Sequence, residues 1–239
     1  MAQYVDLHSH FLPGLDDGAD SLATCLSMVQ ALAKMGFSDL CATPHQYAGR
    51  FQAPLDEIRA TFDQVSAEIA AALPAVRLLL GAENYWDEVL AERVRQGAPP
   101  CYGQGKAFLF ELSPMVMPPR LETDLFNLRV AGWLPVLAHP ERYLSVQKDL
   151  AMAETLGRQV AMQVDLAALS GKGNRAEVKT ARRLVEEGLA HAVASDMHDP
   201  DDGPAIAQGL VWIDKRLGAD AVTRLLAENP RRILLGQLP

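Results

Sequence analysis

Cysteine is scarce in this chain, and its scarcity excludes several kinds of site. Only three of the 239 residues are cysteines, and no C-x-x-C pair occurs. An odd number of cysteines without such a pair predicts neither a disulfide framework nor a thiolate zinc site. A cysteine-dependent phosphatase is also excluded, because that chemistry needs an arginine at a fixed place after the thiolate. The corresponding positions after Cys25, Cys41 and Cys101 hold Ala31, Tyr47 and Ala107.

Basic residues and long apolar runs are also in short supply. The chain has 22 lysines and arginines against 30 acidic residues, for a formal net charge of −8. This balance argues against a nucleic-acid partner held by a broad basic surface. No apolar run reaches membrane-spanning length, and the opening Met1–Asp6 lacks a basic segment followed by an apolar stretch. We therefore expect no membrane insertion, no signal peptide and a cytoplasmic location.

The chain does contain a regular alternation of short apolar runs and longer amphipathic ones. Hydrophobic residues make up 49% of the sequence and charged residues 22%, as in an ordinary globular protein. The short runs predict buried parallel strands at Tyr4–Leu7, Asp39–Ala42, Val76–Leu80, Ala107–Phe110, Pro135–Ala138, Ala161–Val164 and Ala192–Ala194. The amphipathic segments predict helices at Ser21–Met35, Pro54–Leu73, Asp87–Gln96, Leu121–Arg129, Val146–Arg158, Arg175–Glu187, Pro204–Leu217, Ala219–Glu228 and Asn229–Leu235.

Alternating strands and helices predict a parallel sheet of the α/β class, either a barrel or a doubly wound sheet. About seven βα units are visible, one short of the usual eight-stranded barrel. We therefore predict a distorted (β/α)7 barrel, formed by residues 1–239 as a single domain.

Histidines and carboxylates follow the predicted strands. Five of the six histidines lie at or just beyond the carboxyl end of a strand: His8, His10, His45, His139 and His198. Carboxylates stand in similar places: Asp16, Asp17, Glu83, Glu111 and Asp196. In an α/β barrel these ends converge on one mouth, so the side chains should meet in space. An isolated H-x-H pair would be a weak signal, but the shared location of the whole set predicts a metal site.

The kinds of side chain narrow the choice of metal. Imidazole and carboxylate without thiolate suit manganese, iron or zinc, and suit magnesium less well. The sixth histidine, His191, precedes its strand. We therefore expect it at the opposite end of the barrel, away from any metal.

Several motifs together resemble a known family. The opening run His8–Gly18 resembles the first motif of the PHP (polymerase and histidinol phosphatase) superfamily. Within it, the resemblance is closest to the bacterial manganese-dependent tyrosine phosphatases of capsule and exopolysaccharide operons, the CpsB/CapC type. The similarity continues in order along nearly the whole chain, through Ala42–His45, Gly81–Glu83, Phe110–Glu111, Ala138–Tyr143, Ala194–His198 and Asn229–Pro230.

This resemblance implies a PHP-type barrel, a centre of three divalent metals, most commonly manganese, and hydrolysis of phosphotyrosine. Carried over by position, the metal ligands would be His8, His10, Asp17, His45, Glu83, Glu111, His139, Asp196 and His198. Glu83 would bridge metals, and Asp16 would order its loop or hydrogen-bond to a ligand. The implied partner is a phosphotyrosine protein, namely a cognate tyrosine kinase that controls polysaccharide export.

Three residues are the predicted catalytic groups: Asp17 and His45 at the metal centre, and Arg142 beside it. Arg142 lies just beyond the strand-end residue His139, and this place predicts that its guanidinium grips the substrate phosphate. The alternative for Arg142 is a surface ion pair with Glu141.

The chain departs from the family pattern at one point. Such phosphatases often carry an arginine near the position of Gly203, but Asp199–Pro204 contains none. Arg50, Arg120 or Lys172 could take its place, and the sequence does not choose among them.

Other functions stay open at this stage. A small-molecule phosphatase, such as one acting on histidinol phosphate, would use the same ligands. The acidic charge disfavours a PHP-type phosphodiesterase or nuclease. The full ligand set disfavours a regulatory module that is stabilised by metal and has no activity.

Overall fold

The computed structural model describes residues 3–239. Within them the strands are β1 (Tyr4–Ser9), β2 (Phe37–Ala42), β3 (His45–Gln46), β4 (Arg77–Leu80), β5 (Glu83–Tyr85), β6 (Ala107–Glu111), β7 (Leu134–Ala138), β8 (Ala161–Asp165) and β9 (Ala192–Ala194). The α-helices are α1 (Leu22–Lys34), α2 (Leu55–Ala72), α3 (Glu88–Arg95), α4 (Leu121–Val130), α5 (Leu144–Lys148), α6 (Ala151–Gly157), α7 (Leu166–Ser170), α8 (Arg175–Glu186), α9 (Gly203–Leu217), α10 (Ala219–Thr223) and α11 (Asn229–Leu234). Short 3-10 turns cover Pro140–Arg142 and Pro200–Asp202, and a π-helical segment covers Arg224–Glu228.

The strands are paired in parallel and follow seven paths around a ring. One sheet has the order β1-β2-β4 and the other the order β3-β5-β6-β7-β8-β9. β3 continues the path of β2, and β5 continues that of β4. A parallel bridge between Ser9 and Met197, just beyond β9, returns the ring to β1. The predicted seven-stranded α/β barrel is therefore confirmed.

Two apolar clusters hold this ring together. The larger one packs the helices against the strands. The smaller one consists mainly of strand residues, as in a barrel whose interior is filled by side chains: Val5, Leu7, Cys41, Ala107, Leu109, Leu134, Val136, Ala138, Ala161, Ala192 and Ala194. These side chains are fully buried, so the interior of the barrel is filled. A site for chemistry can therefore lie only at the rim of the barrel, where the strands end.

Local signals explain where several helices begin and end. The side chain of Ser21 accepts a hydrogen bond from the backbone N–H of Thr24 and caps α1. Asn174 and Glu177 form a capping box at the start of α8. Gly36, with φ 100°, directly follows the C-cap residue Met35 and ends α1. Among the described residues, no helix combines the length and apolar composition that crossing a membrane requires.

The prediction of one helix over Val146–Arg158 is wrong. The chain is extended at Asp149, and this break separates α5 from α6. The Asp149 carboxylate then accepts the N–H of Ala151 at 2.9 Å, which explains the new start. β3, β5 and α7 were not predicted, because they are too short or too polar to show a hydrophobic period.

Candidate metal centre

All nine predicted metal ligands meet at the carboxyl ends of the strands. They form four overlapping groups, in each of which the nitrogen and oxygen atoms lie within 4.8 Å of one another. The groups are His10, Asp17, His45 and His198; His8, Glu83 and His139; His8, His10 and Asp196; and His45, Glu83 and Glu111. Among residues 3–239 these groups contain the predicted ligands and nothing else.

The loop after β1 is folded so that its carboxylates reach the centre. The N–H of Ala19 donates to the carbonyl of His10 at 2.9 Å, which closes the loop. A Cβ at Gly18 would lie 2.0 Å from that carbonyl oxygen, so only glycine fits there. Asp17 is thereby brought to 3.4 Å from His45 Nε2.

Asp16 orders this loop, as expected, and also orients a histidine. Its carboxylate accepts hydrogen bonds from the N–H groups of Gly18 at 3.0 Å and His45 at 2.9 Å. It also lies 2.8 Å from Nδ1 of His10. Burial would raise the pKa of the Asp16 carboxyl, but the contact with His10 and the N–H donors lower it. The ring of His10 is held so that its other nitrogen, Nε2, points into the centre.

Two of the predicted ligands have unusual backbone conformations. His139 has φ 35° and Asp196 has φ 49°, and these are the non-glycine residues with positive φ in the described part of the chain. Such conformations cost free energy and persist where the surrounding structure holds them. His139 directly follows β7 and Asp196 lies two residues after β9, so both belong to turns at the mouth of the barrel.

Glu83 lies at the middle of the centre and is 1% exposed. Its carboxylate oxygens lie 2.8 Å from His139 Nε2, 3.0 Å from His8 Nε2 and 3.3 Å from His10 Nε2. Burial alone would raise the pKa of this carboxyl, but the surrounding imidazoles lower it well below its usual range. Glu83 is therefore an anion surrounded by imidazole nitrogens.

The atoms at the centre fit a bound cation better than a hydrogen-bond network. Glu83 Oε2 and His45 Nδ1 are buried 3.0 Å apart, yet neither has a hydrogen-bond partner within residues 3–239. The Nε2 atoms of His8 and His10 also face each other at 3.0 Å. Buried polar atoms without partners are costly in a protein interior. A set of imidazole and carboxylate donors without thiolate suits manganese, iron or zinc.

Arg142 lies at the rim, held by two carboxylates. Its Nη2 donates to Asp165 Oδ2 at 2.6 Å and to Asp196 Oδ2, while the side chain stays 41% exposed. Asp196 uses its other oxygen, Oδ1, 3.2 Å from His8 Nε2. Arg142 thus orients a predicted ligand and still presents part of its guanidinium to solvent.

The alternative of a surface pair between Arg142 and Glu141 is wrong. Glu141 is 1% exposed, and its carboxylate accepts the backbone N–H of Asp165 at 2.9 Å. Burial raises the pKa of the Glu141 carboxyl to about 7. Glu141 therefore supports the end of β8 rather than neutralising Arg142.

A polar pocket of about 340 Å³ adjoins the centre on the side of Arg142. Lys172 lines it together with Arg142 and His198, and Lys172 Nζ contacts the carboxylate of Asp202. Of the two other candidate cations, Arg50 lies 3.7 Å from Asp17 Oδ2 and is not in the described lining of this pocket. Arg120 precedes α4 and does not belong to the described lining of this pocket.

Sequence reasoning missed Asp165 and three aromatic residues beside the centre. Asp165 ends β8, one position beyond the predicted strand, so the rule that found the other carboxylates could have found it. Tyr47, Phe51 and Tyr85 gave no such signal, because their position depends on how the loops fold.

His191 lies at the opposite end of the barrel, immediately before β9, as predicted. Its Nδ1 accepts the backbone N–H of Met162 at 3.1 Å. It belongs to none of the candidate metal groups in the described residues.

Comparisons with known proteins agree with this arrangement. The family model for capsular polysaccharide synthesis proteins CpsB/CapC matches residues 4–235. The chain is 30% identical over 238 residues to the tyrosine-protein phosphatase CpsB of Streptococcus agalactiae serotype V, covering 96% of this chain and 98% of that one.

Solved structures show the same fold. One solved structure comes from a study of YwqE of Bacillus subtilis and CpsB of Streptococcus pneumoniae, which calls them "unique metal-dependent tyrosine phosphatases". It aligns with a TM-score of 0.88 at 26% identity, over 98% of this chain and 95% of that one. Histidinol phosphate phosphatase of Lactococcus lactis, solved with zinc, L-histidinol and phosphate, aligns with a TM-score of 0.56 at 14% identity, over 88% of this chain and 93% of that one. The second likeness concerns the fold alone.

The family model spans almost the whole chain, and the strand-end histidines and carboxylates of this chain meet at one mouth. This chain therefore belongs to the CpsB/CapC family of capsular polysaccharide synthesis proteins.

Proposed function

We propose that this protein is a metal-dependent protein tyrosine phosphatase that regulates capsular or exopolysaccharide synthesis. The observation that carries the proposal is the convergence of nine metal-ligand candidates on one rim, next to a partly exposed arginine. The names of the relatives support the same reaction. We further propose that residues 1–239 act as one domain in the cytoplasm, on a phosphotyrosine protein such as a cognate tyrosine kinase.

We propose that the centre holds up to three divalent metals, with manganese favoured and iron or zinc as alternatives. The nine residues of the four groups would hold the metals, and Glu83, the carboxylate that two groups share, would contribute to both. When bound, such metals supply positive charge for the phosphoryl oxygens and lower the pKa of a water molecule.

The residues of the chain bind and orient the substrate. Arg142 keeps Asp196 in place through one contact and offers its remaining N–H donors to the phosphate, which a planar guanidinium can bind through two bonds. Asp17 and His45 lie nearer the solvent, with side-chain exposures of 43% and 13%. As metal ligands on this open side, they would lie next to the phosphate group from which the tyrosine side chain leaves.

The openness of the mouth favours a protein substrate over a metabolite. The side chains of Asp17 and His198 are 43% and 30% exposed, so part of the centre faces solvent directly. A peptide can reach such a rim, whereas small-molecule sites generally enclose most of the ligand.

The experiment is a comparison of substrates with the manganese-loaded protein: a phosphotyrosine peptide, histidinol phosphate and single-stranded DNA. We expect the peptide to give the highest kcat/KM and chelation to abolish turnover. Preference for histidinol phosphate would favour the small-molecule phosphatase, and cleavage of DNA would favour the nuclease. Turnover that survives complete chelation would contradict the metal-dependent reaction.

A further inference from the structure

The two sides of the candidate metal centre differ in chemistry. On the side of Arg142, the described lining of the polar pocket contains no phenylalanine, tyrosine or tryptophan. On the other side, the ring of Phe51 stacks on His45 with centroids 5.1 Å apart and planes 10° apart. Tyr85 lies opposite Glu111 in the register of β5 and β6. Aromatic rings therefore flank the group formed by His45, Glu83 and Glu111.

These rings belong to one ordered surface, the aromatic wall, made of Tyr47, Phe51 and Tyr85. Tyr47 and Tyr85 stack with centroids 4.0 Å apart and planes 6° apart. Tyr47 and Phe51 exchange backbone hydrogen bonds of 2.8 and 2.9 Å across a tight turn.

The turn is also tied to the rest of the molecule. The N–H of Ala48, within the turn, donates to the carboxylate of Asp87 at 3.1 Å. The same side chain caps α3 through the N–H groups of Val89 and Leu90. The aromatic wall therefore stands on a fixed support, which is what a binding surface for a rigid group requires.

The placement of the aromatic wall differs from that of the core aromatics. Phe108 and Phe110 are completely buried, whereas all three wall residues are partly exposed at the mouth. The guanidinium of Arg50 lies 4.8 Å from the centroid of Phe51, at the solvent edge. Rings that reach solvent at the mouth can contact a bound ligand, whereas the buried core rings cannot.

We propose that the aromatic wall binds the tyrosyl ring of the substrate, with the phosphate turned towards the pocket of Arg142 and Lys172. This inference rests on the proposed phosphatase function and adds the residues that select an aryl over an alkyl phosphate. A tyrosyl ring joins its phosphorus through one oxygen, so a phosphate at the centre leaves the ring beside the wall. Edge-to-face or offset contacts between rings would stabilise such a complex.

The test compares two non-hydrolysable ligands that share a phosphonate head, phenylphosphonate and methylphosphonate. Titration calorimetry on the manganese-loaded protein gives both Kd values. We expect phenylphosphonate to bind about tenfold more tightly, the scale of one or two ring contacts. In Phe51→Leu and in the double variant Tyr47→Leu/Tyr85→Leu, the ratio should fall to about twofold or less. Methylphosphonate binding and metal content should stay unchanged.

Phe126→Leu is the matched control, because Phe126 is 58% exposed on α4 and outside the aromatic wall. It should keep the wild-type ratio. An unchanged ratio in both wall variants overturns the inference, as does a parallel loss of both ligands, which would show that the rings act only through the metal ligands. Wild-type protein that binds both phosphonates equally also overturns it, while leaving the phosphatase function standing. Failure to bind either phosphonate or to hydrolyse a phosphotyrosine peptide would instead reject the proposed function.

Discussion

Arg142 combines two roles at the scale of a single residue, so its removal should have two separate effects. Arg142→Ala should lower turnover of a phosphotyrosine peptide by roughly ten- to a thousand-fold, the scale of one lost charge-assisted contact. Since Asp165 is 3% exposed, the variant should also be less stable, because a buried carboxylate loses its partner. Steady-state kinetics and thermal melts measure the two effects.

A second substitution separates the two roles of Arg142. Adding Asp165→Asn to Arg142→Ala should restore much of the melting temperature and none of the turnover. Arg142→Lys should recover little activity, because an ammonium does not form the paired contact. Full activity in Arg142→Ala would show that Arg142 has no part in phosphate binding.

Lys172 is the residue that we expect to replace the missing arginine near Gly203. It shares the polar pocket with Arg142, and its ammonium has donors left after the contact with Asp202. Asp202 still accepts the N–H groups of His198 and Asp199 when the lysine moves to a phosphate. Lys172→Ala should raise KM by roughly three- to tenfold with a smaller change in kcat, and Lys172→Arg should retain binding.

Lys215, an exposed lysine in the last turn of α9, supplies a control of equal charge. Lys215→Ala should leave both kinetic constants within error. If Lys172→Ala behaves like Lys215→Ala, the contact with Asp202 is only a surface ion pair.

His191 should affect stability and its dependence on pH, but not catalysis. Burial lowers the pKa of this imidazole to about 4, and its Nδ1 accepts the N–H of Met162. Between pH 6.5 and 4 the unfolded chain binds a proton at His191 and the folded chain does not, so the free energy of unfolding falls as the pH falls. Over this range the advantage of wild type over His191→Ala should shrink, by on the order of 3 kcal/mol.

Urea unfolding of both proteins at several pH values measures that difference, and the subtraction removes the contribution of other titrating groups. His191→Ala should keep its metal and its activity, whereas His45→Ala and His139→Ala should lose activity. Equal loss of activity in all three variants would contradict the assignment of His191 to the far end of the barrel.

At the scale of elements, the contact between α7 and α9 depends on a glycine. A Cβ at Gly209 of α9 would lie 2.1 Å from the carbonyl oxygen of Leu166, the first residue of α7. On an open helix surface a change from glycine to alanine stabilises the helix by about 1 kcal/mol. Gly209→Ala should instead lower the free energy of unfolding by roughly 2 kcal/mol or more, because the new methyl group clashes with the backbone of α7. Urea unfolding measures the sign directly.

The neighbouring residue Gln208 is exposed and supplies the control. Gln208→Ala should change the free energy of unfolding by less than about 0.5 kcal/mol. Since α7 directly follows Asp165, Gly209→Ala should also weaken the site through Arg142. A stabilised Gly209→Ala protein would mean that the two helices pack less closely than described.

At the scale of the whole molecule, metal and fold should be coupled. The centre collects carboxylates from separate strands, and without a cation Glu83 and Asp196 would remain charged in a buried position. Manganese reconstitution followed by elemental analysis should give up to three ions per chain, and chelation should lower the melting temperature because ligand binding stabilises the folded state. Less than one metal per chain after reconstitution would reject the proposed centre.

The sequence by itself determined the strand paths and the identity of the metal-ligand candidates. Short apolar runs mark buried strands, and polar residues at their carboxyl ends must face the mouth once the strands are parallel. His8, His45, Glu83 and His139 could therefore be placed together from local pattern and fold class alone. The same logic placed His191 at the other end.

The tertiary structure alone decided the contacts that depend on distance in space rather than on spacing in the chain. The partners of Arg142 come from β8 and from the turn after β9, and the aromatic wall joins a loop to a separate strand. The break at Asp149 arose because a local side-chain bond competed with the helix. A hydrophobic period specifies which face of an element is buried, but only the packed molecule specifies which side chain meets which partner.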